Sequence, residues 1–321
     1  MSPTLRKPHS LTRLIQGALL AIGLAGSMGS QAATATATAS TTTASTAADT
    51  AVQFKDLRIT VRGDGQPLLM IPGLNSAASV WDETCAKLQP GVQCLMVQLP
   101  GFAGAPASPA FQQQFLASAR GQLLDYLREQ APQGASVVGH SLGGVLALQM
   151  AAEAKAPIKR LVIVDSLPFL AGIQNPNATV DSVKPMAEGM RAGMMRPASP
   201  EQRRATLAPM AATMVHGDTQ IETVVQWGIA SDAASTAAAM YELWVSDLRP
   251  MLPQVKVPTT VLGSWAAYAP MGSTLESTRA IFERQYEGLK GVELKMSTKG
   301  FHFLMWDDAE LVSSTLKQAL R

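Results

Sequence analysis

The chain has 321 residues, of which 47% are hydrophobic and only 16% are charged. Soluble domains usually carry about 25% charged residues, so this composition leaves ample apolar side chains for a large core. The formal net charge of +2 falls to −1 when the three basic residues Arg6, Lys7 and Arg13 are removed, and no basic stripe remains that would indicate nucleic-acid binding.

The first 32 residues have the pattern of a secretory signal peptide. Basic residues precede an apolar segment at 14–24, and Ser30-Gln31-Ala32 supplies the small residues typical of a cleavage site. The apolar segment is short for a membrane span, which needs about 20 residues, although an uncleaved anchor is the alternative. The sequence therefore predicts a periplasmic or secreted protein without a stable membrane span after cleavage.

Two further features are a segment of small residues before the predicted strands and a pair of cysteines. Residues 33–50 are almost all Ala, Thr and Ser, which cannot offset the entropy of ordering, so this stretch is predicted to be a flexible linker. Cys85 and Cys94 are the only cysteines. They can pair in an oxidising compartment or remain as buried thiols, and their spacing alone does not decide between the two.

From residue 51 to the C-terminus, strand and helix patterns alternate. Strands are predicted at 54–61, 68–71, 93–99, 136–138, 160–164, 259–262 and 292–296, and helices at 77–88, 111–130, 142–154 and 310–320. Alternation of this kind favours an α/β fold with a mostly parallel central sheet covered by helices on both faces.

The strand patterns stop between about 167 and 247. This stretch is rich in Ala and Met and is predicted to be a helical cap inserted on the sheet. Met186, Met190 and Met194 are four residues apart and therefore share one helical face. That face either packs the cap onto the body or lines an apolar substrate pocket, since methionine adapts to varied shapes.

The strongest motif is Gly139-His140-Ser141-Leu142-Gly143, between a buried strand and a helix. This context is typical of the nucleophile elbow G-x-S-x-G, in which glycines let the chain turn tightly and the serine hydroxyl projects above the sheet. Ser141 is therefore the candidate nucleophile. The alternative is an ordinary serine that caps the following helix.

A nucleophilic serine needs a base, and the chain has four histidines. His9 lies in the leader, His140 lies inside the elbow, and His216 falls within the predicted cap. His302 follows the last predicted strand and precedes the final helix, so it is the candidate base; a packed structural histidine is the alternative.

The strand order, the elbow, the inserted cap and the late histidine resemble the α/β-hydrolase superfamily, in its capped esterase, lipase and dehalogenase-like branch. The resemblance covers the chain from about residue 54 to the C-terminus. It implies that the segment 70–76 is the oxyanion loop, with Pro72 where many members have histidine. By that match, the backbone N–H groups of Leu74 and Leu142 would hold the oxyanion, unless Leu74 is a plain turn residue.

The acid of the triad departs from the common pattern. Family members usually carry it after the strand at 259–262, but Trp265 and Tyr268 occupy that loop and no Asp or Glu is present. A minority place the acid one strand earlier, which here gives Asp165 and keeps the chain order Ser, Asp, His. The alternatives are Asp247, or a dyad without an acid. Asp307 and Asp308 are predicted to begin the final helix, where Asp is a favoured cap.

The resulting hypothesis is a serine hydrolase that cleaves a small-molecule carboxylic ester through an acyl-enzyme. Carbon–carbon bond hydrolysis, cofactor-free haloperoxidase chemistry and a non-catalytic binding role are the alternatives, because a fold does not separate them. No cofactor and no metal are expected. The histidines and cysteines lack ligand spacing, and phosphate-binding and dinucleotide-binding glycine motifs are absent from the sequence.

Overall fold

The computed structural model describes residues 49–173 and 175–321. The predicted signal peptide and almost all of the predicted linker lie outside the described residues. Within them, eight strands form one sheet in the order β1-β2-β4-β3-β5-β6-β7-β8. Their bounds are Thr50–Phe54 (β1), Leu57–Arg62 (β2), Gln66–Ile71 (β3), Val92–Gln98 (β4), Ala135–His140 (β5), Ile158–Val164 (β6), Thr259–Gly263 (β7) and Glu293–Met296 (β8).

The sheet is antiparallel at one edge only. Strands β1 and β2 form a hairpin, and β2 runs antiparallel to β4. All pairings from β4 through β3, β5, β6 and β7 to β8 are parallel. The prediction of a mostly parallel sheet is therefore confirmed, and the carboxyl ends of β5, β6, β7 and β8 lie side by side at one edge.

The α-helices of the described chain connect the strands and cover the sheet. Their bounds are Asp82–Leu88 (α1), Pro109–Gln113 (α2), Phe115–Gln130 (α3), Leu142–Ala151 (α4), Val180–Met194 (α5), Pro200–Ala212 (α6), Asp218–Ala230 (α7), Ala233–Val245 (α8), Leu275–Gln285 (α9), Leu304–Asp307 (α10) and Ala309–Ala319 (α11).

The strands carry apolar residues on both faces, and successive residues divide between two cores. On β3, for example, Leu69 and Ile71 pack in one core, whereas Leu68 and Met70 pack in the other. The first core is covered by α2, α3, α4, α8 and α9, and the second by α1, α10 and α11. A strand buried on both faces needs a continuous apolar run, which is why these strands were visible in the sequence.

Two predicted elements are divided in the structure. The strand predicted at 54–61 is a hairpin: Phe54 ends β1, and Leu57 begins β2 after a turn in which Lys55 has φ 51°. The helix predicted at 111–130 is broken at Gln114 (φ −142°), which separates α2 from α3. Hydrophobic spacing alone misses such breaks, because the apolar pattern continues across both of them.

Four helices, α5 to α8, lie between β6 and β7 and are called the cap here. The spacing of the three methionines does not define the packing face of helix α5. Val183, Ala187 and Met190 of α5 pack against a cluster that contains Phe169 and Trp244, whereas Met186 is 37% exposed. No helix in the described part of the chain is both long and apolar enough to serve as a membrane span.

Cys85 on α1 and Cys94 on β4 form a disulfide, and both residues are fully buried. The bridge closes a short loop, which in the chain-entropy model stabilises the fold by about 2–3 kcal/mol. We expect the double variant Cys85→Ala/Cys94→Ala to lose about that much free energy of unfolding in a urea titration. Adding a reductant should destabilise the wild type to a similar extent and leave the double variant unchanged.

Candidate active site

The candidate residues meet because their strands are neighbours. Ser141 follows β5, Asp165 follows β6, Ser264 follows β7, and His302 lies in the loop after β8. The backbone pairing extends past the strand ends: Ser141 N–H donates to the Val164 carbonyl at 3.0 Å, and Asp165 N–H donates to the Leu262 carbonyl at 2.7 Å. The carboxyl edge of a parallel sheet is the usual position of a binding crevice in such folds.

Ser141 lies at a strained turn between β5 and α4. Its φ of 53° and ψ of −118° are a conformation that side-chain-bearing residues seldom adopt, and such strain clusters at functional sites. The residue occupies the N-cap position of α4, yet its hydroxyl forms no capping hydrogen bond. The alternative of an ordinary capping serine therefore lacks the contact that it requires.

Glycines on both sides of Ser141 allow the turn to pack. A Cβ added to Gly139 would overlap the carbonyl of Gly143, and one added to Gly143 would overlap the carbonyl oxygen of Ile71 and lie 2.7 Å from that of Pro72. All three obstacles are backbone carbonyls, which cannot rotate away as a side chain could. The elbow thus packs directly against the end of β3 and the predicted oxyanion loop.

Asp165 contacts His302. Asp165 Oδ2 lies 2.6 Å from His302 Nδ1, and both side chains are largely buried, at 10% and 18% exposed. An acceptor on Nδ1 favours the tautomer that leaves Nε2 free to take a proton. His302 Nε2 and Ser141 Oγ have no hydrogen-bond partners among the described residues, and no hydrogen bond joins them.

Ser264, in the loop after β7, supports Asp165. Its backbone N–H donates to Asp165 Oδ1 and its hydroxyl donates to Asp165 Oδ2, each at 2.8 Å. Asp165 itself has φ 44°, another strained conformation. The runner-up acid, Asp247, accepts instead from Arg249 at 2.6 and 2.8 Å. The structure therefore brings Asp165, and not Asp247, to the histidine.

Two tyrosines, Tyr268 and Tyr286, lie close enough to the Asp165 carboxylate to sense its charge. Burial, and then the negative charge of Asp165, raise the pKa of Tyr268 to about 12. The same two causes raise the pKa of Tyr286 well above its usual value, and its hydroxyl donates to the Ser166 carbonyl at 2.8 Å. Both phenols therefore stay neutral and add no competing charge beside Asp165. Trp265 is half-buried in the same loop.

The backbone around His302 is held from three directions. His140 Nε2 lies 3.0 Å from the His302 carbonyl oxygen, Phe303 N–H donates to the Met214 carbonyl at 3.1 Å, and Phe301 N–H donates to Asp307 Oδ2 at 2.9 Å. These partners belong to the elbow, to the loop after α6 and to α10. The His302 backbone is thus fixed relative to both the elbow and the cap.

The prediction that Asp307 and Asp308 begin the final helix holds for Asp308, which occupies the N-cap position of α11, whereas Asp307 ends α10. The side chain of Asp308 makes no capping bond to α11 and accepts from the Ser297 hydroxyl at 2.7 Å. Asp307 holds the histidine loop through Phe301 and also pairs with His216 Nδ1 at 3.0 Å. Both carboxylates accept from groups that precede α10 and lie outside α11, a preference that helix-capping propensity does not reveal.

His140 is a site residue whose contact the sequence did not suggest. It is fully buried, and its ring lies 4.5 Å from that of His302. Burial lowers its pKa well below the usual value, with a smaller effect from His302, so His140 is neutral and its Nε2–H donates to the His302 carbonyl. The only available sequence signal was an imidazole inside the elbow motif.

This neutral histidine predicts a pH-dependent stability. Below about pH 6.5 the unfolded chain binds a proton at His140 that the folded chain does not, so stability falls as pH falls, by up to about 1.4 kcal/mol per pH unit. Urea titrations between pH 7 and 5 should show this loss. His140→Gln, which keeps a donor but does not titrate, should have a shallower slope; an unchanged slope would contradict the prediction.

The two predicted oxyanion donors lie on either side of the contact between the elbow and the loop after β3. Leu74 lies in the loop after β3, and Leu142 begins α4 immediately after Ser141. Neither N–H donates to an acceptor within the described residues. The Leu142 N–H also belongs to the amino end of a helix, where partial positive charge favours an anion.

Comparisons with known proteins bear on the family and the fold of the chain. A model of the alpha/beta hydrolase family matches residues 68–315. A pimeloyl-(acyl-carrier protein) methyl ester esterase of Vibrio cholerae is 33% identical over 111 residues, which are 35% of this chain and 41% of that protein. A protein of the same name from Legionella pneumophila is 25% identical over 231 residues, 72% of this chain and 86% of its own. The chain thus spans about two fifths of the length of the Vibrio relative that it matches.

Among solved structures, a hydrolase from Pseudomonas aeruginosa superposes with a TM-score of 0.69 at 16% identity, over 85% of this chain and 98% of that one. At this identity the likeness concerns the fold. Together with the family match, it confirms the predicted fold class.

Proposed function

Because the chain belongs to the alpha/beta hydrolase family, we propose that it hydrolyses carboxylic esters through an acyl-enzyme on Ser141, with His302 as general base and Asp165 as the acid that orients it. The observation that carries this proposal is the 2.6 Å contact between Asp165 Oδ2 and His302 Nδ1, which leaves Nε2 as the basic nitrogen. A strained serine without a capping bond precedes α4 at the same sheet edge.

The proposed reaction has two steps. In acylation, Ser141 Oγ bonds to the ester carbon while its proton passes to His302 Nε2, and the alcohol leaves with that proton as the carbon–oxygen bond breaks. In deacylation, His302 takes a proton from water as the water oxygen bonds to the acyl carbon. The serine then leaves with the same proton. The sum is ester plus water giving acid plus alcohol.

The N–H groups of Leu74 and Leu142 are proposed to hold the negative oxygen of each tetrahedral intermediate. Donors that are fixed before charge develops need no reorganisation during the reaction, and one such donor is typically worth about 3 kcal/mol. The absence of acceptors for both N–H groups within the described chain supports this role. A strained elbow serves the same end, because it aligns the second donor with the nucleophile.

The proposed substrate is a small-molecule ester with an apolar part. This assignment is supported by relatives that are named methyl ester esterases. Export to the periplasm or the exterior is proposed from the leader sequence, and the buried disulfide is compatible with an oxidising compartment.

Labelling by a fluorophosphonate tests the proposal directly. We expect stoichiometric modification of Ser141, located by peptide mass spectrometry, with none in Ser141→Ala. The labelled chain should lose its activity toward a panel of 4-nitrophenyl esters. Folded protein that is neither labelled nor active would overturn the proposal and favour a binding role. Labelling without ester turnover would favour carbon–carbon cleavage or haloperoxidase chemistry at the same serine.

A further inference from the structure

The cap contacts the predicted oxyanion loop through one hydrogen bond. Thr236 on α8 donates from its hydroxyl to Asn75 Oδ1 at 2.7 Å. Asn75 immediately follows Leu74, and the two residues are separated from Thr236 by about half the chain. The same hydroxyl also lies 2.9 Å from the carbonyl of Asp232, one helical turn earlier.

The helix that carries Thr236 is fixed to the body at both ends. At its start, Asp232 N–H donates to the Gly101 carbonyl at 2.7 Å, and Gln112 donates to Asp232 Oδ1 at 3.0 Å. Near its end, Glu242 accepts from the backbone N–H groups of Phe115 and Leu116 at 2.7 and 2.9 Å. Helix α8 therefore presents Thr236 at a fixed position above the sheet.

Around Leu74, the loop has few short hydrogen bonds of its own. Asn75 has φ 58°, a left-handed conformation that asparagine tolerates better than most residues. Within the loop, Ser76 N–H bonds to the Gly73 carbonyl and the Ser76 hydroxyl bonds to the Leu74 carbonyl, both at 3.3 Å, which is long for such bonds. The Thr236–Asn75 bond is shorter than either of them.

We infer that Thr236 and Asn75 are positioning residues, through which the cap fixes the Leu74 N–H for oxyanion binding. The inference rests on the proposed esterase function and adds the cap to its catalytic apparatus. A donor must point at the oxyanion before charge develops, so loosening the loop weakens transition-state binding more than substrate binding. Helix α8 then has two roles, as packing for the first core and as support for the site.

Two substitutions at Thr236 separate the hydrogen bond from packing. Thr236→Val keeps the shape and removes the hydroxyl, whereas Thr236→Ser keeps the hydroxyl. With 4-nitrophenyl butyrate, we expect Thr236→Val to lower kcat about tenfold with KM within about twofold. The Leu74 N–H binds charge that develops only in the transition state, so misplacing this donor affects kcat and leaves substrate binding nearly unchanged. Thr236→Ser should stay within about twofold of the wild type. Thr223→Val on α7 is the matched control, since that hydroxyl bonds only to its own helix at Thr219.

Inhibition by phenylboronic acid gives an independent measure of oxyanion binding, because its tetrahedral serine adduct resembles the reaction intermediate. Its affinity should fall in Thr236→Val by the same factor as kcat. Asn75→Gly should have a similar effect, and the double variant should lose no more than the worse single variant, because the two residues share one bond. Additive losses, or a rise in KM without a fall in kcat, would contradict the inference.

Hydrogen exchange tests the contact without any enzymatic readout. Peptides covering 72–78 should exchange faster in Thr236→Val than in the wild type or Thr223→Val. Unchanged exchange overturns the inference even when the wild type is labelled and active. A wild type that fails to react with the fluorophosphonate instead overturns the proposed function. The exchange result then still decides whether Thr236 orders the loop.

Discussion

Asp165→Asn is expected to lower kcat by about four orders of magnitude, with little change in KM for a 4-nitrophenyl ester. Asp165 Oδ2 lies 2.6 Å from His302 Nδ1 and accepts from Ser264, so the carboxylate favours the proton on Nδ1 and stabilises the imidazolium. An asparagine in this place can present an N–H to Nδ1, which favours the tautomer with the proton on Nε2. A protonated Nε2 cannot act as the base, and this change costs about 10⁴ in a comparable triad.

Asp247→Asn is the matched control for this prediction. That carboxylate is bound to Arg249 and has no contact with His302, so kcat should stay within about twofold of the wild type. Circular dichroism and urea unfolding of both variants would separate a folding defect from a catalytic one. Full activity in Asp165→Asn together with loss in Asp247→Asn would reverse the assignment of the acid, and full activity in both would favour a dyad.

Gly143→Ala is expected to destabilise the fold by about 3 kcal/mol or more, because its Cβ would overlap the carbonyl of Ile71 and approach that of Pro72. Overpacked substitutions in cores typically cost 1–3 kcal/mol, and a clash with two rigid backbone groups falls at or beyond the upper end. Any folded fraction should also show slower fluorophosphonate labelling, since the elbow and the loop before Leu74 must separate. The free energy of unfolding from urea titration measures the first effect.

The control for Gly143→Ala is Gly189→Ala, in the cap helix α5. Gly189 is also a helical glycine, but nothing lies within 4 Å of an added Cβ there. Alanine is the better helix former by about 1 kcal/mol, so this variant should be neutral or more stable than the wild type. Equal effects of the two substitutions would show that the close packing at the elbow has no energetic consequence.

The sequence predicted the fold because burial on both faces of a parallel sheet leaves a strong local signal. Strands such as β3 and β6 each contain a continuous run of four apolar residues, and the elbow glycines stand at fixed offsets from Ser141. The carboxyl-edge positions of Ser141, Asp165 and His302 follow from the alternation of strand and helix alone. The positions of the site residues could therefore be named from the sequence.

Contacts between segments that are distant in the chain could not be predicted from local sequence patterns. The sequence left open whether Asp165 or Asp247 serves His302, and whether Cys85 pairs with Cys94. It also gave no sign that Asp307 holds the histidine loop. Such hydrogen bonds form only when the donor–acceptor distance between two elements is correct to within a few tenths of an ångström. Hydrophobic periodicity does not encode distances at this precision.

What the sequence determined by itself was the layered fold, the elbow at Ser141 and the late histidine, because each depends on local hydrophobic pattern and backbone sterics. What only the tertiary structure decided was the partner of each polar side chain: Asp165 on His302, Ser264 on Asp165, His140 on the His302 carbonyl, and Thr236 on Asn75. A buried polar group takes whichever partner the packed fold brings within reach, and that choice is made only when strands and helices distant in the chain come together.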